Sequence, residues 1–355
     1  MWQTRSVQGS GPSAKPILSV LAKKTYSIEH NTVAQVSEDQ IEMVDTDTFE
    51  DPQNPSYSEV LAESDLQAFK PSTDFIVIGN AHAPGSKQAY HLDCQIIAGP
   101  YNKTIRVFGD RKLQYRPLRG LSFSDPEPFS EIALGYKNAY GGVTCSKDGT
   151  PFVFYPNPIG NGFTLKGALE DASELKVPNQ ENPEYPLVAD DMILGKFSQW
   201  KELPLPASLG WTRRNFYPRY TFCGVFPEHL EGAMENLENM KKKNPQMRSM
   251  KIPSMDFRFY QGASEGLWGK RLVGNEQIQL KNLDPKFPLF KTALPGETPC
   301  ISLDVGNGAK ELKPYLDTVV VDKPKNLVTL LWRGTETFEC LEDLMEIETL
   351  KYTAQ

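Results

Sequence analysis

The stretch Leu316-Asp-Thr-Val-Val-Val-Asp-Lys-Pro-Lys-Asn-Leu-Val-Thr-Leu-Leu-Trp-Arg333 holds two β-rich runs about a four-residue loop, Lys323-Pro-Lys-Asn326. Val, Thr and Trp suit a pleated backbone, while Pro and Asn supply turn geometry, so the stretch reads as an antiparallel hairpin. Lysines at such a turn also discourage edge-to-edge pairing of sheets.

Outward from this hairpin, 28 Pro and 26 Gly punctuate short apolar runs along the whole chain of 355 residues. Punctuation that dense predicts many strands and turns. The expected strands are Pro16–Ser27, Phe75–Gly79, His91–Ala98, Lys103–Phe108, Phe152–Tyr155, Arg219–Phe226, Arg271–Leu280, Cys300–Val305, Thr318–Asp322 and Leu327–Arg333. Phe75-Ile-Val-Ile78 is apolar on both faces, as a strand covered on each side would be. Two helices are expected: Pro227–Lys243, with a period near 3.6 and Lys241-Lys-Lys243 as its C-terminal cations, and the acidic Phe338–Leu350. Residues 178–186, Pro-Asn-Gln-Glu-Asn-Pro-Glu-Tyr-Pro, read as an exposed loop. The expected fold is therefore mainly β, α+β at most. It is a single large antiparallel, sandwich-like domain over residues 12–334, with long loops, a few short helices and an acidic helix or tail at 335–355.

With 39% hydrophobic and 23% charged residues the composition is that of a globular protein, and a net charge of -7 argues against a nucleic-acid groove or a polybasic membrane patch. No apolar run approaches the roughly 18 residues a membrane helix needs. The opening Met-Trp-Gln-Thr-Arg-Ser6 has no apolar core of a signal peptide. Cys94, Cys145, Cys223, Cys300 and Cys340 are odd in number and widely spaced, with no zinc pattern, so reduced cysteines in a cytoplasmic protein are expected.

Candidate chemistry starts at Thr73-Asp-Phe-Ile-Val-Ile-Gly-Asn-Ala-His-Ala-Pro-Gly85, where an apolar strand delivers His82 onto a turn. The other histidines are His30, His91 and His229. A Cys–His pair has one local candidate, His91 with Cys94, and residues three apart on a strand project to opposite faces. No G-x-S-x-G elbow is present, and His82 with Asp74 or Asp93 lacks metal-ligand spacing. His82 is accordingly expected to satisfy backbone groups in its own turn. Tyr140-Gly-Gly142 and Asn157-Pro-Ile-Gly-Asn-Gly-Phe163 match no phosphate-binding loop, and their glycines are expected in turns or close approaches. Arg106 with Gly109-Asp-Arg111 reads as an Arg–Asp network fixing a turn.

The aromatic load, 10% of the chain, carries the most functional content. Trp211-Thr-Arg-Arg-Asn-Phe-Tyr-Pro-Arg-Tyr220 is its densest run, and Trp268 follows in a loop. Trp211, Arg213, Arg214, Phe216, Tyr217 and Trp268 are either partner-binding anchors or packing between loops and sheet.

Several segments taken in order resemble a bacterial domain-of-unknown-function family encoded beside type VI secretion spike genes. They are Ser64–Gly85, Lys103–Arg111, Tyr140–Gly142, Asn157–Phe163, Asp256–Ala263, Gly274–Leu280, Leu316–Asp322 and Leu330–Arg333. Asp74, Gly79, His82, Pro84, Gly85, Arg106, Gly109, Asp110, Gly141 and Gly142 are the signature positions of that resemblance. The resemblance implies a cytoplasmic, non-enzymatic adaptor or chaperone that loads a PAAR-tipped or Rhs-type effector onto the VgrG spike, with no cofactor and no catalytic residue to carry over. The departure is Gly262-Ala-Ser-Glu-Gly-Leu-Trp268, where an Ala-Pro-rich loop is expected. The competing expectations are a hydrolase centred on His82 or Cys223 and a carbohydrate-binding module using the loop aromatics.

Overall fold

The computed structural model describes the chain except residues 12–14, 119, 169–174, 218, 224–255 and 348. The Leu316–Arg333 hairpin forms as expected, with strands Tyr315–Asp322 and Leu327–Thr337. Asn326 closes its loop with φ 54°, a left-handed conformation that Asn tolerates.

This hairpin is the middle of the first sheet. The order is Gln3–Ser10, Pro16–Ser27, Leu327–Thr337, Tyr315–Asp322, Asp74–Ile78. All pairs are antiparallel except the last, in which Asp74–Ile78 runs parallel to Tyr315–Asp322. The hairpin turn therefore guards no edge. Lys323 is buried, placing its amine 2.8 Å from Asp284 and 3.9 Å from the Phe290 ring centroid. Packing between the sheets has claimed a lysine that the sequence assigned to solvent.

The second sheet runs Gln180–Glu181, Tyr101–Phe108, His91–Ala98, Gln277–Lys281, Leu289–Ala293, Thr32–Val33, again antiparallel but for its last pair. One continuous core holds side chains from both sheets, among them Val20, Phe75, Val319 and Leu330 from the first and Ile96, Ile105, Leu280 and Phe290 from the second. The Phe75 and Tyr101 rings meet across the layers at 6.3 Å. A mainly β, sandwich-like architecture is thus what the chain forms.

The other face of the first sheet is polar, yet it is not wet. Residues 40–70 cross it as a strap. Lys23 donates to the Glu42 carbonyl and to Asp65, both at 2.7 Å, and the Ser19 hydroxyl donates to the Ala68 carbonyl at 2.7 Å. Arg333, with no exposed surface, donates to Asp317 at 2.6 Å and to the Gln67 carbonyl.

Several expected elements form differently. Arg219–Cys223, assigned to a strand, is a 3-10 turn. The strand expected from Arg271 starts only at Gln277, because Glu276 accepts from the amides of Val273 and Gly274 at 2.6 and 3.0 Å and holds a turn there. The pairing at Phe152 covers Pro151–Val153. The helix expected over Phe338–Leu350 is confined to Leu341–Met345, and Lys351–Ala354 adds as a strand to Ile301–Asp304. The expected helix Pro227–Lys243 lies outside the described residues, and among those described no helix is long and apolar enough to cross a membrane.

A second, smaller core gathers Leu113, Tyr140, Phe154, Phe163, Met192 and Trp200. Its rings stack edge to face, with Tyr155 and Trp200 at 5.3 Å and Trp200 and Tyr217 at 5.2 Å. Many of the loop aromatics are therefore its filling.

Arg333→Met is expected to cost about 3–5 kcal/mol, since it strands the buried Asp317 carboxylate without its guanidinium partner. Urea unfolding measures this, and a loss below about 1 kcal/mol would show that the pair is dispensable.

Candidate functional site

Asp74 stands at the start of its strand with its carboxylate fully buried. Oδ1 accepts from Gln261 Nε2 at 2.7 Å and the Ala263 amide at 3.1 Å, while Oδ2 accepts from Lys70 Nζ and the Gly262 amide, both at 2.8 Å. Lys70 also donates to Thr318 Oγ1 at 2.9 Å and lies 3.5 Å from Asp317, which in turn holds Arg333. Burial alone would lower the Lys70 pKa, but Asp74 and Asp317 outweigh it and hold the amine charged above its ordinary range. Burial likewise pushes Asp317 upward, and Arg333 and Lys70 more than reverse it, leaving its carboxyl below the usual range. Segments around residues 74, 261, 317 and 333, distant in sequence, meet in this one charge-balanced cluster.

The other signature residues are spread over separate places. Gly79 is packed so that a Cβ would lie 3.2 Å from Lys323 Cβ. His82 pairs through its backbone with Glu131, and its Nδ1 is 3.9 Å from that carboxylate. Among the described residues the ring makes no hydrogen bond to its own turn, so the role expected for it is not the one it plays. Instead it lines an open cleft of about 770 Å³ together with His30. Pro84 and Gly85 form an exposed 3-10 turn, with Gly85 at φ 68°. Arg106 makes a bidentate cross-strand pair with Asp93 at 2.7 and 3.0 Å rather than with its neighbour Asp110, whose carboxylate accepts from Asn179 at 3.0 Å. Gly109 passes the Glu127 carbonyl so closely that a Cβ would sit 1.7 Å from it. Gly141 and Gly142 adopt φ 152° and 111° against Asn157, whose side-chain amide donates to the Tyr136 and Tyr140 carbonyls at 2.7 and 3.0 Å. Among the described residues no group of three metal-ligating side chains exists.

The aromatic run turns mostly inward. Trp211 is 6% exposed and bridges to Ala263, beside the Asp74 cluster. Phe216 is fully buried against Tyr136 at 5.4 Å, and buried Arg213 donates to the Ser58 carbonyl. Arg214 is half-buried, 3.2 Å from Asp47. Tyr217 and Trp268 remain half-buried and line a cavity of about 210 Å³ with Phe222 and Arg258.

A second open cleft lies on the second sheet. A cleft of about 700 Å³ is lined by Gln95, Asn102–Thr104, Asn182–Tyr185, Glu202–Ala207, Glu265 and Gly266. Tyr185 is 64% and Leu205 38% exposed. Pro183 and Asn182 turn the 178–186 segment back on itself, the Tyr185 amide donating to the Asn182 carbonyl at 3.1 Å. Lys103 reaches from its strand to Ser264 Oγ at 3.1 Å and the Glu265 carbonyl at 2.6 Å. Ser264 has committed its own proton to the Ser208 carbonyl, so it can only accept from Lys103. Burial pushes the Lys103 amine down to about 7, with the nearby Glu265 charge opposing the shift.

Lys103 lies in one of the quoted motifs but carried no site assignment from the sequence. Its one local signal is a lysine on the apolar side of a strand, in phase with Tyr101, Ile105 and Val107. The prolines at 183, 204 and 206 were visible too, though nothing local joins them to it.

Among comparisons with known proteins, the family described as "Uncharacterized protein conserved in bacteria (DUF2169)" matches residues 13–333. No curated protein and no solved structure matches the chain.

The Lys103 environment fixes a pH dependence. Its folded pKa lies near 7 and its unfolded value near 10.4, so between them the unfolded state holds more protons and stability rises with pH. Urea unfolding at pH 7 and pH 9 is expected to show this increment in the wild type and not in Lys103→Met. Equal increments in the two proteins would remove Lys103 as its source.

Proposed function

We propose that this chain, which belongs to the DUF2169 family, is a non-enzymatic adaptor or chaperone that binds a PAAR-tipped or Rhs-type effector and helps load it onto the VgrG spike. The secretion context rests on the resemblance carried by the ordered motifs. The observation that carries the binding reading is the 700 Å³ cleft, whose walls expose Tyr185 and Leu205 among three half-buried prolines and several carboxylates. Exposed aromatic and apolar groups ringed by charge are what a partner's surface uses. The Asp74 cluster, by contrast, is buried and charge-balanced, which suits holding loops in place rather than turnover.

In this reading the cleft covers an apolar segment of the effector until handover. Co-expression with a neighbour-encoded PAAR or Rhs protein, followed by affinity purification, is expected to give a stable complex. Tyr185→Ser should reduce co-purification several-fold while changing stability by less than about 0.5 kcal/mol, because that side chain is 64% exposed. Failure of every such neighbour to associate with the wild type would overturn the adaptor reading.

A further inference from the structure

The strand Tyr101–Phe108 is paired along its whole inner edge with His91–Ala98 and along only part of its outer edge. Its outer partner, Gln180–Glu181, covers Val107 and Arg106, and the Phe108 amide donates to the Asn179 carbonyl at 2.8 Å. In an antiparallel ladder the outward-facing residues alternate, so Phe108, Arg106, Thr104 and Asn102 turn their N–H and C=O groups to this edge. The next partner in register after Glu181 would sit at Pro183, which has no N–H, and the chain turns away there. Among the described residues the backbone groups of Asn102 and Thr104 have no partner on this side. That open edge is the floor of the 700 Å³ cleft.

We propose that this edge is a docking site for an extended segment of a partner protein, which adds as a strand beside Asn102–Thr104 and carries Lys or Arg at alternate positions. Strand addition uses main-chain hydrogen bonds for affinity and flanking pockets for specificity. Here Tyr185, Pro204 and Leu205 offer the apolar wall. Glu184 and Glu202 are exposed, and among the described residues neither is in an ion pair, so the rim presents free carboxylates to cations, while the exposed Glu265 stands beside the Lys103 amine. Side chains on one face of a strand recur about every 6.6–6.8 Å, so basic residues at alternate positions would meet this acidic rim. The inference rests on the adaptor reading for the identity of the partner and on the ladder alone for the site.

Thr104→Pro tests it, because the lost N–H faces the cleft while the ladder to His91–Ala98 is kept. A random twelve-residue peptide library displayed on phage, panned against the full-length chain, is expected to return segments with alternating Lys or Arg. Their affinity should fall about tenfold in Thr104→Pro, and it should fall and lose its salt dependence in Glu184→Lys with Glu202→Lys. Recovery of no peptide, or equal binding by Thr104→Pro of unchanged melting temperature, overturns the proposal. Should Thr104→Pro unfold, amide exchange at Asn102 and Thr104 in the wild type decides: slowing on peptide binding supports the site, and no change overturns it. A neighbour-encoded protein that co-purifies equally with Thr104→Pro leaves the adaptor reading standing and sinks this one; peptides bound without any such protein do the reverse.

Discussion

A single buried carboxylate, Asp74, ties the molecule together. It accepts hydrogen bonds from a lysine four residues earlier and from three donors at 261–263, on a loop nearly two hundred residues away in sequence. Through Lys70 it is linked to Asp317 and Arg333 in the central hairpin. Such a cluster is costly to desolvate and tolerable only when its members are present together, so it specifies one arrangement of the strap, the parallel strand and the loop at 261–268. The same loop supplies Ser264 and Glu265, which hold the Lys103 amine at the wall of the open cleft. The internal cluster thereby shapes the external surface.

That connection explains why the two parts of the molecule differ so sharply in chemistry. The interior charges are matched, two acids against two bases, and closed to solvent. The cleft carries unmatched carboxylates, exposed apolar groups and an incomplete strand edge. An edge left open on a sheet is a hazard that proteins usually cover, so one retained inside an acidic, proline-walled groove fits use by a partner.

Much of the fold was legible in the sequence because it follows local patterns. The β-branched hairpin at 316–333 and the strands Pro16–Ser27 and His91–Ala98 fall where alternation and turn residues place them. The doubly apolar Phe75–Ile78 run is a strand covered on both faces. Elsewhere tertiary contacts decided. Ser19, Lys23, Thr25 and Arg333 are polar, and only the strap at 40–70, remote in sequence from Arg333, buries them. Trp211 and Phe216 read equally as anchors or as packing, and they pack, beside the Asp74 cluster and Tyr136. The cleft draws on segments near 95–104, 182–185, 202–207 and 265–266, and no window of sequence reports that they meet. Its open edge is visible only from the register of Arg106 with Glu181.

The buried Asp74 cluster, through the loop at 261–265, positions the cleft wall. Titration of the Lys103 side chain by NMR, in the wild type and in Asp74→Asn, measures this. The amine is expected to titrate near 7 in the wild type and to shift upward, toward the ordinary lysine value near 10.4, once the loop at 261–265 is released. An unchanged titration in a folded Asp74→Asn protein would contradict it.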